Sequence, residues 1–245
     1  RAAMALFDRA QAIWEQSLGE CHPNVARTLT NKARLLSGAG EQGQARLYLE
    51  EALQIRTQAF GADHYLVARS LADLARVDVI TGDYSRAEDL FGRALAIQRK
   101  DPEARGPELA ASLDDLAALA LAEGDPRRAI TLALQGEALA RSYFLRTAQG
   151  LTEIDALRYE TVRTQGLDVA LQALARTLGG AEDFSEEISR VWDEMIRSRA
   201  VVLDEMGAAH RAEPRSPLRP GLAEVAQALP PPAALVAFAK VESLE

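Results

Sequence analysis

Apolar residues recur along the chain at steps of three or four positions, the spacing that places them on one face of an α-helix. Leu29, Ala33 and Leu36 form one such stripe, and a second stripe begins at Ala45 and reaches Ile55. A glycine stands between the two stripes, as glycine commonly does just beyond the end of a helix. The pattern therefore predicts pairs of antiparallel helices joined by short turns.

This paired pattern returns every 42 residues. Ala10, Ala52 and Ala94 occupy closely similar local sequences, and six further sets of positions keep the same spacing. These sets are Ile13, Ile55 and Ile97; Ala26, Ala68 and Ala110; Leu29, Leu71 and Leu113; Ala33, Ala75 and Ala117; Gly40, Gly82 and Gly124; and Ala45, Ala87 and Ala129. A fixed period of this length is typical of a solenoid, in which each unit buries its apolar face against the next. Because the chain starts partway through a unit, we expect a truncated first repeat and a longer parent protein.

The period fails after Leu139, although helical spacing continues. This spacing predicts helices at about residues 149–163, 167–178 and 184–210, followed by a proline-rich stretch that a helix would not cross. The apolar run at 234–239 predicts a buried strand. The predicted organisation is a solenoid at 1–141, a helical connector at 142–210, a linker at 211–221 and the start of a second domain at 222–245.

The composition agrees with a helical protein and argues against nucleic acid as its partner. Only 5% of the residues are aromatic, which suits helices packed through small side chains better than a β-rich core. The formal net charge of −8 argues against direct contact with nucleic acid, because that affinity needs clustered Lys and Arg. The single cysteine, Cys21, cannot form an internal disulfide, and no apolar run approaches the length of a membrane span. We therefore expect a cytoplasmic protein.

The repeat pattern resembles tetratricopeptide repeats of the 42-residue, kinesin-light-chain-like kind, over roughly residues 1–141. The family's Leu-Asn-Asn-Leu-Ala signature is matched in part by Leu29-Thr30-Asn31-Lys32-Ala33. Asp73 and Asp115 replace the asparagine in the next two units. The resemblance implies a mainly α-helical solenoid that binds a protein or peptide, or another segment or subunit of the same complex.

The region after residue 149 resembles a second family, the TPR–CHAT proteins, in which such repeats precede a caspase-like cysteine peptidase domain. The resemblance lies in the order of four short motifs, at residues 157–159, 166–171, 199–206 and 229–230 leading to 234–238. It implies a non-catalytic sensor and regulatory region that ends in the first strand of an α/β caspase-like domain. The catalytic Cys and His would then follow further along the parent protein. The alternative is a non-enzymatic adaptor resembling kinesin light chain.

Arginine and acidic residues recur in the first helix of successive pairs, where the resemblance to tetratricopeptide repeats places a binding groove. The candidate groove residues are Arg27, Asn31 and Arg34; Arg69, Asp73 and Arg76; and Asp114 and Asp115. Stacking aligns arginines 42 residues apart in two rows, which could hydrogen-bond the carboxylates of a bound peptide. The two acidic residues of the third unit would then hold a partner of mixed charge in one direction. A solvated surface with charge pairs along each helix is the alternative.

Other chemistry finds little support in the sequence. His22 beside Cys21 is matched by His64 one period later, which indicates punctuation of the repeat rather than a cysteine–histidine dyad. The histidines and the cysteine give no metal-ligand spacing, and no glycine-rich phosphate loop is present. We therefore expect no catalytic residue, metal or cofactor in this chain. We assign the amphipathic helix at 184–210 to core packing rather than to a membrane surface.

Overall fold

The computed structural model describes residues 2–101, 106–148, 166–177 and 183–209 of the 245. In these residues the backbone forms nine α-helices and no strand. The helices are α1 (Ala2–Leu18), α2 (Pro23–Gly38), α3 (Gln42–Phe60), α4 (Tyr65–Thr81), α5 (Tyr84–Gln98), α6 (Gly106–Glu123), α7 (Pro126–Ala148), α8 (Gly166–Thr177) and α9 (Ser185–Ala209). The predicted mainly α-helical solenoid is confirmed, and the last two predicted helices agree with α8 and α9 to within two residues at each end.

Other predicted elements lie outside the described residues. They are the helix at 149–163, the proline-rich linker at 211–221 and the strand at 234–239. The domain boundaries at residues 141, 210 and 221 therefore stay predictions.

The chain divides into two compact units, Arg1–Leu119 and Ala120–Glu245. In the first unit each helix from α1 to α4 packs against the helix that follows it. The alanines that mark the period form the contact surface: Ala26, Ala68 and Ala110 have no solvent-accessible surface. A methyl side chain lets two helix backbones approach closely, so the regular spacing of alanine along the chain fixes where the helices touch.

A glycine precedes the second helix of each pair, and the residue after it is Glu41, Asp83 or Asp125, of which the two aspartates cap their helices. Gly82 has φ +82°, in the left-handed region that costs glycine little, and it ends α4. The next residue, Asp83, then begins α5 by accepting a hydrogen bond from the Arg86 backbone N–H. The predicted sequence of a C-terminal glycine followed by a new helix start is confirmed at this turn.

The two histidines of the inter-unit turns are helix caps. His22 Nδ1 accepts a hydrogen bond from the Asn24 backbone N–H at 3.2 Å, at the start of α2. His64 Nδ1 accepts from the Leu66 backbone N–H at 3.3 Å, at the start of α4. Both imidazoles therefore take the part that Ser or Asp usually plays at a helix N-terminus, and this explains why they recur at the period. Cys21 is exposed beside the first of them.

In the second unit α7 packs against α8 and α9. Partly buried ion pairs join α7 to α9: Arg127 contacts Glu187, and Arg141 contacts Glu194. Burial raises the pKa of Glu194, against the lowering effect of Arg141. The acidic face of the predicted helix at 184–210 is thus partly a packing surface, because Glu187 and Glu194 turn inward to meet arginines.

Candidate binding groove

The eight residues predicted to line a groove lie on α2, α4 and α6, the first helices of successive pairs. Their exposure is uneven. The four arginines, Arg27, Arg34, Arg69 and Arg76, are exposed, Asn31 and Asp115 are half-buried, and Asp73 and Asp114 are buried. Asp114 and Asp115 differ because neighbouring residues on a helix point about 100° apart.

A relay of ion pairs runs across the three helices through four of these residues. Asp73 on α4 lies 3.8 Å from the Arg34 guanidinium on α2 and 2.8 Å from Arg76 Nη1. Arg76 in turn donates through Nε and Nη2 to Asp115 on α6, at 3.0 Å and 2.7 Å. We call Arg34, Asp73, Arg76 and Asp115 the relay. The sequence predicted that Arg76 would bind a partner, but its N–H donors are hydrogen-bonded to Asp73 and Asp115.

The relay shifts the pKa values of its members. Burial by itself lowers the pKa of Arg76, but the hydrogen bonds and charges of Asp115 and Asp73 outweigh burial and raise this pKa overall. Burial raises the pKa of Asp115 more than Arg76 lowers it. Arg76 therefore stays charged and fixed in place, since a forked guanidinium holds a carboxylate in one geometry.

The row formed by Arg27 and Arg69 differs from the row formed by Arg34 and Arg76. Neither Arg27 nor Arg69 makes a hydrogen bond or an ion pair with any residue that the structure describes. Both side chains are exposed, so their guanidinium donors point to solvent and remain open to a ligand. Of the two predicted rows, this one consists of arginines without an ion pair among the described residues, and its role in binding stays a prediction.

A cleft of about 470 Å³, open to solvent, lies between α2 and α4. Its lining consists of Ala33, Arg34, Ser37, Gly38, Leu49, Asp73, Arg76, Val77 and Ile80. We call this space the α2–α4 cleft. Ile80 is 60% exposed at its edge. The α2–α4 cleft thus joins an apolar surface to three members of the relay.

Several buried charged residues were not predicted from the sequence, and two of them lie at the contacts of α3, α4 and α5. Arg56 on α3 and Asp78 on α4 are charged, yet they are 5% and 0% exposed. Asp78 contacts Arg46 and lies 3.3 Å from Arg86 Nε. Each residue stands within an apolar helical stripe, and a charge in that position is the signal that could have indicated a buried partner.

The described part of the chain contains neither a group of residues that could bind a metal ion nor a helix that could span a membrane. No three His, Cys, Asp or Glu residues there come together in a way that could hold a metal ion. None of the described helices combines the length and the apolar character needed to cross a bilayer.

A family model described as "Tetratricopeptide repeat" matches the chain at residues 2–58, 44–100 and 80–142. Together these matches extend over more than half of the sequence. No curated protein is similar enough in sequence to count as a match.

Several solved structures share the fold. Nearly identical TPR-like repeats from a Podosopora anserina protein assigned as a kinesin light chain align with TM-score 0.56 and 22% identity. That alignment covers 81% of this chain and 88% of the other, and a variant of the same protein with methionine in place of one glutamine gives the same values. BtubC (BKLC) from P. vanneervenii aligns with TM-score 0.59 and 20% identity, over 88% of this chain and 78% of the other. Identities this low show a common fold.

Proposed function

The chain belongs to the tetratricopeptide repeat family, and we propose that its first unit binds an extended segment of a partner protein across α2 and α4. Repeats of this kind generally bind proteins or peptides, and their stacked helices offer a continuous surface. The α2–α4 cleft is the single observation that carries the proposal. It provides an apolar pocket and fixed charges side by side, as peptide recognition requires.

Each part of the α2–α4 cleft has a separate task in this proposal. An apolar side chain of the partner enters between Leu49, Val77 and Ile80, and covering Ile80 removes apolar surface from water. Arg34 and Arg76 are held by Asp73 at the rim, so they lose little freedom when a partner arrives. Arg34 lies 3.8 Å from Asp73 without a hydrogen bond to it, so its guanidinium donors stay open to an acidic group of the partner, and this charge at one side of the cleft selects the direction of the partner chain.

Ile80→Asp tests this proposal, with Leu47→Asp as its matched control. The two side chains are 60% and 57% exposed, but Leu47 lies on α3 away from the α2–α4 cleft. We expect Ile80→Asp to weaken the binding of peptides selected from a random library by about tenfold or more, because it places a charge against the entering apolar side chain. Fluorescence anisotropy with the selected peptides measures the change.

The control distinguishes the site from general surface effects. Leu47→Asp should leave the affinity of the same peptides unchanged, and circular dichroism should show equal helix content in both variants. Equal affinities for the wild type and Ile80→Asp would show that the α2–α4 cleft is not where the peptide binds.

We further propose that the chain is the sensor and regulatory region of a caspase-like cysteine peptidase in the cytoplasm. The order of short motifs after residue 149 supports this reading, and two of the four motifs, at 157–159 and 229–238, lie outside the described residues. In this scheme, a partner bound to the repeats would favour one of two states of a downstream active site. A non-enzymatic adaptor like kinesin light chain is the alternative.

Removing residues 1–141 from the parent protein tests the regulatory proposal. We expect the rate of peptide hydrolysis by the parent to lose its dependence on the partner, because the binding surface is gone. The measurement is hydrolysis of a fluorogenic peptide with and without the partner. Unchanged dependence would contradict a sensor role, and absence of hydrolysis by the intact parent would favour the adaptor.

A further inference from the structure

Gly38 lines the α2–α4 cleft but contributes no side chain to it. It is the last residue of α2, and its counterpart one period later is Ile80, which lines the same cleft from α4. Ala122 occupies the equivalent position in the third unit. Gly38 therefore leaves bare a part of the helix surface that an isoleucine or an alanine covers in the other two units.

The backbone does not require a glycine at residue 38. Gly40, two residues later, has φ +84°, and a glycine suits that left-handed conformation just beyond the end of the helix. Gly38 is helical instead and does not have a positive φ, so alanine would be favoured over glycine there. The turn between α2 and α3 thus explains Gly40 but not Gly38.

Helix packing does not require this glycine either. Apart from its own turn of helix, no atom of the described residues lies within 4 Å of the place that a Cβ of residue 38 would take. At a close contact between helices a larger side chain would meet the neighbouring helix, as at the fully buried Ala26. Gly38 is exposed and faces open space that is part of the α2–α4 cleft.

The walls around this open space are apolar. Leu49 of α3 and Val77 of α4 line the cleft and are each 3% exposed, while Ile80 remains 60% exposed. A side chain that lies over Gly38 and covers Ile80 removes apolar surface from water, and each buried methylene raises the affinity by about fourfold. A larger apolar side chain therefore binds more tightly for as long as the open space can receive it.

We propose that Gly38 determines the size of the partner side chain that the α2–α4 cleft accepts, and that it selects an apolar side chain of leucine size or larger. The partner side chain crosses the bare backbone of Gly38 and ends against Val77 and Ile80. This assignment rests on the proposed function, in which an extended partner segment also meets Arg34. It adds the residue that decides which segments bind.

Gly38→Ile gives α2 the side chain that α4 carries at the equivalent position. We expect it to weaken the binding of the library-selected peptides by about tenfold or more, because the isoleucine fills the space that the partner occupies. Thermal unfolding and circular dichroism should show a fold at least as stable as the wild type, since the change replaces a helical glycine without a clash. Gly38→Ala, with a smaller side chain, should weaken the same peptides by roughly threefold to tenfold.

Gly92→Ile is the matched control. Gly92 is an exposed helical glycine of α5 without a positive φ, and a Cβ there likewise meets no atom of the described residues within 4 Å. It does not line the α2–α4 cleft, so the peptide affinities should keep their wild-type values. Equal weakening by Gly92→Ile and Gly38→Ile would overturn the assignment, because the effect would then not depend on the cleft.

A series of peptides separates size selection from a general loss of binding. An alanine scan of a selected peptide identifies the apolar residue on which affinity depends, and that residue is then replaced by valine, leucine and phenylalanine. The wild type should prefer phenylalanine to valine by about tenfold or more, and Gly38→Ala should reduce this ratio to about threefold or less. An unchanged ratio, or a scan in which no apolar residue matters, would overturn the assignment.

Comparison with Ile80→Asp distinguishes this assignment from the proposed function. If Ile80→Asp weakens peptide binding and Gly38→Ile does not, the peptide binds in the α2–α4 cleft and the assignment of Gly38 alone is wrong. If neither substitution changes the affinity, the peptide binds elsewhere, and the proposed function and the assignment both fail.

Discussion

Phe91→Ala should lower the free energy of unfolding by about 3 to 5 kcal/mol, the largest effect of any single substitution that we expect in the first unit. Phe91 lies on α5 with 1% of its surface exposed, and it is among the largest fully buried side chains. Truncation to alanine loses the transfer free energy of the ring and leaves a cavity. Because α5 packs against α4, the cavity weakens the link between two helices of the middle repeat.

The solenoid makes this loss hard to compensate. Each repeat contacts only its neighbours, so no distant part of the chain can close around the cavity. Isolated helices of this length are marginal in water, and the helices beyond the weakened contact lose support as well. Urea unfolding followed by circular dichroism should show a lower midpoint and a broader transition than in the wild type.

Phe60→Ala is the appropriate comparison, because the chemical change is identical. Phe60 is 40% exposed and stacks on His64 with ring centroids 4.4 Å apart. We expect its removal to cost about 1 kcal/mol, from the stacking contact and the partial burial. Equal destabilisation by the two substitutions would mean that α5 is not packed as described.

Asp78→Ala should lower the free energy of unfolding by about 2 to 3 kcal/mol. The Asp78 carboxylate has no exposed surface and stands between Arg46 of α3 and Arg86 of α5. Its removal leaves the guanidinium groups of Arg46 and Arg86 without the negative charge that both of them contact. The cost stays below that of a fully buried pair, because Arg46 still reaches Thr81 and Arg86 still reaches Glu50 at 2.7 Å.

The charge and the shape of Asp78 contribute separately. Burial raises the pKa of Asp78, although Arg46 and Arg86 lower it, so desolvation offsets part of the gain from the ion pairs. Asp78→Asn keeps the shape and one acceptor oxygen, and we expect it to be less destabilising than Asp78→Ala. Thermal and urea unfolding of both variants measure this difference.

Asp89→Ala supplies the surface control. Asp89 is exposed on α5 and lies 3.6 Å from Arg93 in the same helix, a kind of pair that contributes little. We expect no measurable change in stability. If Asp78→Ala also left the free energy of unfolding unchanged, the cluster of Asp78, Arg46 and Arg86 would not stabilise the contact of α3, α4 and α5.

Local patterns along the sequence predicted much of the fold because the physics behind them is local. The steps of three and four residues indicated the helices, the glycine before Asp83 indicated a turn, and the period of 42 residues indicated identical packing at Ala26, Ala68 and Ala110. The repeat of His22 at His64 likewise indicated a structural position, and the structure identifies it as a helix cap.

The candidate groove could be predicted only in outline. The sequence placed arginines on the first helices, but it could not show that Arg76 is occupied by Asp115, 39 residues away, while Arg69 makes no ion pair with a described residue. It also treated Asp114 and Asp115 alike, although one is buried and the other contacts Arg76. Such differences depend on the distance between helices and on which face each residue presents.

The sequence by itself therefore determined the helices, their pairing and the register in which the repeats stack, because the period of apolar residues records these directly. Only the tertiary structure decided which charges hold the helices together and which stay available to a ligand. Asp78 occupies a position that is apolar in the neighbouring repeats. Arg56 and Gln98 occupy equivalent positions and each donates a hydrogen bond to a serine, although only Arg56 carries a charge. Their partners come from other helices, and contacts of that kind depend on the folded arrangement rather than on local spacing.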